Sequence, residues 1–189
     1  MAERPPEEID GGDFVLHRAR LDDAKIIADT VAANQGRLSA WMAWADPSAG
    51  TVEEQLRRLP RTIANWEAGT SFLYLATHPG TGMHLGNFGL ERRIGPGALE
   101  IGYWLAEDAT GYGYATAGAG LLTDTALSLG GIERTEIHCD AANLRSQRVA
   151  ERLGYRLDRI EADGMRAPAH SGRSLIWVYP PEPVDALRS

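Results

Sequence analysis

The chain has 189 residues, enough for one domain with a single core, and a formal net charge of −7. That acidic balance argues against broad nucleic-acid binding, which needs a basic face, and the single cysteine, Cys139, excludes an intrachain disulfide. With no apolar run of membrane length and no signal-like segment, the expectation is a cytoplasmic protein of enzyme size that works neither on a membrane nor on nucleic acid.

Residues 1–12 and 181–189 are charged, carry prolines and lack periodicity, so both are expected to be flexible tails on a domain spanning 13–180. Phe14 to Arg18 reads as a first strand, and Asp22 as the cap of a helix whose inward stripe is Ala24, Ile27, Ala28 and Val31. The run RLSAWMAWAD, Arg37 to Asp46, then places unusual apolar bulk in a polar region. Three-residue spacing puts Trp41 and Trp44 on one side of a helical turn, either as a plug where two helices meet or as an aromatic wall of a substrate cleft. Thr51 and Glu54 form a capping box ahead of a second helix with the stripe Val52, Leu56, Leu59, Ile63 and Trp66, and Pro60 is a potential kink in it. Ser71 to Thr77, His84 to Arg92 and Leu99 to Leu105 follow as consecutive antiparallel strands joined by the turns HPGTG and IGPG. Arg134 to Asp140 and Arg173 to Tyr179 read as two further strands.

The chain is organised around Ala98 to Gly120, where a strand runs through the turn GYGYA into a helix. The inward positions of that helix are Ala115, Ala119, Leu122, Ala126 and Leu129, and Gly130 and Gly131 end it. Gly111 and Gly113 permit positive φ and leave no Cβ in the way, so successive N–H groups can converge on an anion at the positive end of the helix. A glycine pair by itself serves equally to turn a corner. The absence of a Lys-Ser/Thr pair after the glycines disfavours a P-loop, and the glycine spacing does not match a dinucleotide fingerprint.

The stretch resembles instead the acyl-CoA loop of the Gcn5-related N-acetyltransferases (GNAT), whose pattern is Arg or Gln, two residues, Gly, one residue, then Gly or Ala. Thr110, Gly113 and Ala115 take these positions, and Thr110 departs from the family by lacking the long polar side chain. A second run, His138 to Tyr155, reads as a strand end, a polar turn and a helix closed by Gly154, with Asn143 suited to be the N-cap. It is similar to the second signature of the family, in which an Asn is followed three residues later by a small residue and then by a Leu-Gly-Phe-like ending. Most members carry a tyrosine seven residues after the Asn as the acid for the leaving thiolate; Ala150 stands there in this chain. The branch that acetylates ribosomal-protein N-termini uses the serine three after the Asn, here Ser146. That branch also shows a strand like EIGYWL and a run like RLSAWMAW, so the resemblance covers nearly all of Phe14 to Tyr179.

The resemblance implies an α/β domain of α+β type, with a central, twisted, mostly antiparallel sheet flanked by helices. It implies acetyl-CoA as co-substrate and no metal. Backbone groups of Tyr103, Trp104 and Leu105 would hold the pantetheine arm and polarise the thioester carbonyl. Thr110, Gly111, Tyr112, Gly113, Tyr114 and Ala115 would hold the pyrophosphate, Asn143 would bond the pantetheine, and Ser146 would both contact the cofactor and donate to the leaving sulfur. The position of a glutamate thought to activate the amine in some members falls on Met165, which leaves Glu100, Glu161 and Asp163 as candidate bases. Arg145, Arg148 and Arg152 share a helical stripe that is either solvated or meets the ribose phosphate. The implied acceptor is a primary amine, foremost a protein or peptide N-terminal α-amine, with Trp41 and Trp44 as its wall. A small amine such as an antibiotic or polyamine, and a non-catalytic acyl-CoA-binding module, are the alternatives, and a homodimer stays open.

Overall fold

The computed structural model describes residues 3–180, whose strands join in one eight-stranded sheet. In chain order the strands are β1 (Glu8–Asp10), β2 (Val15–Arg18), β3 (Ser71–Thr77), β4 (His84–Glu91), β5 (Ala98–Leu105), β6 (Arg134–Asp140), β7 (Arg156–Ala162) and β8 (Arg173–Tyr179). The helices are α1 (Ala24–Ala33), α2 (Gln35–Trp41), α3 (Val52–Ala68), α4 (Tyr114–Ser128) and α5 (Leu144–Arg152). The sheet order is β1-β2-β3-β4-β5-β6-β8-β7, and every neighbouring pair is antiparallel except β5 and β6. That exception follows from connectivity: α4 carries the chain back across the sheet, and such a crossover delivers the next strand parallel. β5 and β6 pair only at Ala98/Arg134, Leu99/Thr135 and Glu100/Glu136, after which the two strands part.

Alternation along β5 divides the core between the two faces of the sheet. Leu99 and Ile101 join Phe88, Ile137 and the α4 residues Ala119, Leu122 and Ala126, while Trp104 joins Leu75, Leu59 and the α1 stripe Ala24, Ile27 and Val31. Gly86 sits where β4 passes closest to β5: its φ is 146° and an added Cβ would lie 2.1 Å from the Trp104 carbonyl oxygen, so no side chain fits.

Several expectations need correction. Within the stretch read as an N-terminal tail, Glu8–Asp10 is an edge strand pairing Ile9 with Leu16, and Arg4 bonds Glu67 at 2.8 Å. Three residues are too few to show a period, and their partners lie far along the chain; residues 1–2 and 181–189 of the proposed tails lie outside the described residues. The capping carboxylate before α1 is Asp23, accepting from Arg20 N at 2.7 Å, not Asp22. Only half of the Thr51 capping box forms, Glu54 N donating to Thr51 Oγ1, while the Glu54 carboxylate goes to Arg57 and Arg58. Val52 and Leu56 are exposed, and Gln55 is buried in their place because its amide donates to Ala49 O at 2.6 Å. Pro60 lies inside α3 without ending it. α2 and β7 were not legible: α2 is short, and β7 is an edge strand whose residues are nearly all exposed.

His84 is buried between Thr30 Oγ1, 3.0 Å away, and Asn87 Oδ1, 2.7 Å away, with Trp104 edge-on to its ring. Burial pushes its pKa down, against hydrogen bonds to Asn87 and Gly86. As pH falls through the ordinary histidine value near ~6.5, the unfolded chain therefore takes up this proton before the folded one does. The stabilising contribution is complete above that pH and is lost between it and the depressed folded value. Thermal melts should fall across this window, and His84→Gln should flatten that limb.

Candidate active site

The turn after β5 begins with a short helical turn, Glu107–Ala109, and Thr110, whose hydroxyl donates to Glu107 O at 2.7 Å. Gly111 and Gly113 follow with φ of 90° and 86°, and a Cβ at either would meet nothing within 4 Å. The left-handed backbone, not crowding by the protein, is what requires glycine here. The first backbone bond of α4 is Ala117 N to Gly113 O, and among the described residues the N–H groups of Gly111 through Thr116 have no protein acceptor. Consecutive free N–H groups at the positive end of a 15-residue helix form an anion cradle that fits a pyrophosphate. Tyr112 is exposed beside Tyr114, with ring centroids 6.0 Å apart, and Ala115 lies in the first turn of α4.

Tyr103, Trp104 and Leu105 pair on one side with Phe88, Asn87 and Gly86 of β4; on the other, they face the gap left where β6 departs. Backbone groups on that side have no strand partner and can bond an extended ligand. The side chains diverge. Trp104 points toward α1 and lies 6.0 Å from the ring of Trp44, whereas the Tyr103 hydroxyl reaches α5 and lies 2.9 Å from Ser146 Oγ. Arg37 of α2 donates to Leu105 O; burial lowers its pKa, with Glu107 opposing and Arg145 reinforcing.

Asn143 caps α5, its Oδ1 accepting from Ser146 N at 3.2 Å, which leaves its side-chain NH2 for another partner. Burial raises the pKa of the Tyr103 phenol, against its bond to Ser146, so it stays protonated at neutral pH. Tyr103 and Ser146 thus form a pair of hydroxyls joined by one hydrogen bond beside the gap. Cys139, also near Ser146, is a buried thiol pushed up to about 11 by desolvation, which keeps it unreactive. Ala150 is fully buried, and the Tyr155 hydroxyl is held 2.7 Å from both Thr123 and Thr135, joining α4, β6 and the end of α5. Arg145, Arg148 and Arg152 are exposed.

On the opposite face of the same gap, Glu100 is buried and both its oxygens accept from Arg93, at 2.7 and 2.6 Å. Glu136, its neighbour across the ladder, accepts from His138 Nε2 at 2.7 Å and Arg134 Nε at 3.0 Å. Burial would raise the Glu136 pKa, but bonds from His138 and Arg134 and the charge of Arg159 hold it below the usual carboxylate value. Glu161 pairs with Arg159, Asp163 with Arg166, and Met165 is exposed.

The loop between β7 and β8 closes over this face. Ser171 N and Gly172 N donate to the Asp140 carboxylate, Ala169 N donates to Ala40 O at 2.9 Å, and His170 Nε2 donates to Trp41 O at 2.9 Å. With Trp41 beside His170 and Trp44 beside Trp104, a ring of contacts runs from β6 through the loop and α2 to β5, around the gap. Trp41 is half-buried and Trp44 exposed, so neither plugs the core. Nor do they share a helical turn, because α2 ends at Trp41 and Met42 is extended. The sequence reading missed Arg93, His138, Asp140 and His170. The alternation of Glu136, His138 and Asp140 on one strand was the available signal for two of them. Among the described residues no group of three or more His, Cys, Asp or Glu side chains is arranged to hold a metal.

The sequence profile of the acetyltransferase (GNAT) domain matches residues 13–156. The Bacillus subtilis (strain 168) protein YdaF, named as a ribosomal N-acetyltransferase, is 31% identical over 149 residues, covering 76% of this chain and 78% of that one. The crystal structure of ribosomal-protein-S5-alanine acetyltransferase from Vibrio fischeri superposes with a TM-score of 0.82 at 16% identity, over 90% of this chain and 94% of its own. Microcin C7 self immunity acetyltransferase MccE, in complex with acetyl-CoA and AMP, does so at 0.82 and 18%, over 92% and 96%. The mostly antiparallel sheet, the anion cradle at α4 and the gap between β5 and β6 thus find their explanation together: the chain belongs to the GNAT acetyltransferase family and is an acetyl-CoA-dependent N-acyltransferase.

Proposed function

We propose that this enzyme acetylates the N-terminal α-amine of a protein or peptide in the cytoplasm. The observation that carries this reading is the ring of contacts around the acceptor face, from Asp140 through Ser171 and His170 to Trp41 and from Trp44 to Trp104. A walled approach with aromatic sides suits a narrow, extended chain end and suits a highly hydroxylated sugar poorly. The names of YdaF and of the Vibrio fischeri enzyme, both tied to ribosomal proteins, agree with it.

Acetyl transfer needs a bound thioester with a polarised carbonyl, a neutral amine and a proton for the sulfur. In this reading the N–H groups from Gly111 to Thr116, with Thr110, Tyr112, Tyr114 and Ala115 framing them, hold the pyrophosphate. The β5 segment Tyr103, Trp104 and Leu105, whose last carbonyl is held by Arg37, aligns the pantetheine arm together with the Asn143 amide. Tyr103 donates to Ser146 Oγ, and Ser146 donates to the sulfur. Acetyl-CoA, when bound, supplies the activated acyl group. An α-amine suits the site because at pH 7 roughly 10% of it is neutral, against under ~0.1% of a lysine side chain.

A panel of N-terminal peptides, polyamines and aminoglycosides, read by release of free thiol, tests the reading. Peptides with free α-amines should exceed the small amines in kcat/KM by ~10²-fold or more; a preference for small amines would replace the proposal. Acetyl-CoA should raise the melting temperature, as a ligand of the native state alone must. Gly113→Ala should remove most of that shift by filling the cradle, while Gly131→Ala, at an equally left-handed glycine outside the cradle, should keep it. Ser146→Ala should lower kcat by ~10²-fold and Tyr103→Phe by ~10-fold, each leaving the acetyl-CoA thermal shift unchanged. Trp41→Ala should raise the acceptor KM without moving that of acetyl-CoA, checked by steady-state kinetics with both substrates varied.

A further inference from the structure

We propose that His138 takes the proton from the acceptor amine, and that Glu136 holds its imidazole in the tautomer this requires. The inference rests on the N-acetyltransfer reading above and adds the base that the sequence left unassigned.

The geometry follows from the sheet. Glu100 and Glu136 are the last residues paired between β5 and β6. Two residues further along, on the same face, come Gly102 on β5 and His138 on β6, at the start of the gap. Gly102 has no side chain and a Cβ there would meet nothing within 4 Å, so at this position β5 puts no side chain beside His138. The His138 side chain is 23% exposed against 1% for Glu136 and 8% for Glu100, which makes it the accessible member of the three.

Chemistry separates the same three groups. Both oxygens of Glu100 are engaged by Arg93, and Glu136 is enclosed by Arg134, Arg159 and His138. The Glu136 carboxylate is an acceptor, so the Nε2 facing it carries hydrogen and Nδ1 presents its lone pair. Nδ1 lies 3.8 Å from Glu100 Oε2, too long for a direct hydrogen bond, and has no hydrogen-bond partner among the described residues. The charged groups around the ring are Arg134, Glu136 and Asp140 on its own strand, Glu100 from β5, Arg93 from the turn before β5 and Arg159 from β7. β8 contributes Ile176, the register partner of His138. Glu136 is hydrogen-bonded to one side of the ring and Glu100 faces the other, and each carboxylate is in turn paired with an arginine.

The step balances. The ammonium gives one proton to Nδ1, directly or through one water, and its nitrogen lone pair forms the C–N bond to the acetyl carbon as the C–S bond breaks. The sulfur takes a proton through Ser146, which is made good from the second proton lost by the amine nitrogen, and His138 returns its proton to solvent. Neither oxidant nor reductant is needed. His138 occupies the general-base role and Glu136 is a positioning residue.

The test is kinetics on the full chain with His138→Gln and Glu136→Gln, using an N-terminal peptide and a matched acceptor whose amine has a lower pKa. His138→Gln should lower kcat/KM for the ordinary α-amine by ~10²-fold near pH 7. Its rate should then climb tenfold per pH unit toward the pKa of the amine itself, near ~8, closing the gap to wild type. The deficit should shrink with the low-pKa acceptor, a pattern that loss of packing does not produce, and the acetyl-CoA thermal shift should persist. Glu136→Gln keeps a hydrogen-bonding group and should move the acidic limb of the pH profile. Should His138→Gln melt early, addition of imidazole to His138→Ala at low temperature reads the same role by rescue. A wild-type rate and pH profile in His138→Gln, or an equal deficit with both acceptors, overturns the assignment. Wild-type transfer to small amines alone overturns the α-amine reading and leaves His138 to be judged on those amines. Absence of transfer to every amine overturns both.

Discussion

The structure depends on where the β5–β6 ladder stops. Hydrogen bonding through Glu100 and Glu136 fixes the two strands side by side, and their separation beyond that point opens the sheet without exposing its core. Everything chemical is arranged about the opening. α4 leaves β5 with its positive end at one mouth, α5 begins at the other side with Asn143 and Ser146, and the β7–β8 loop closes the far face. Unpaired edges in a sheet interior are costly unless satisfied, so an opening walled by Tyr103, Ser146 and the loop is a site requiring a ligand with its own hydrogen-bonding groups.

The two faces of the opening are chemically distinct because β5 and β6 alternate. Tyr103 and Cys139 turn toward α4 and α5, giving hydroxyls beside a protonated thiol. Glu100, Glu136, His138 and Asp140 turn the other way, giving carboxylates matched by Arg93, Arg134 and Arg159. Hydroxyls on one side and carboxylates with an imidazole on the other give the two faces the different chemistry that the proposed proton transfers use. Buried carboxylates are tolerated because they are paired, and removal of Arg93, which holds both oxygens of Glu100, strands a charge in a poorly solvated place.

The indoles of Trp41 and Trp44 show how the same residue type changes meaning with context. Trp41 and Trp44 look alike in sequence, yet Trp41 sits against His170 and offers its carbonyl to that ring, while Trp44 leans on Trp104. They anchor opposite ends of one enclosure. The largest fully buried side chain is instead Trp66, edge-on to both Phe72 and Tyr74.

By itself the sequence determined the elements whose information is local. The strands from Ser71 to Thr77, Arg134 to Asp140 and Arg173 to Tyr179 have the observed bounds, because alternation and turn residues are read within each segment. The glycine turn at Gly111 and Gly113, the α4 stripe and the Asn143 cap were legible for the same reason. Only the tertiary structure decided what depends on partners distant in the chain. Short β1 and exposed β7 are strands because a neighbour supplies their hydrogen bonds. Gln55, not Leu56, is buried because a carbonyl waits for it at Ala49, and Tyr103 meets Ser146 across 43 positions of sequence. His138 acquires its surroundings from the turn between β4 and β5, from β5 and from β7 together, and no window of sequence contains Arg93, Glu100, Glu136 and Arg159 at once.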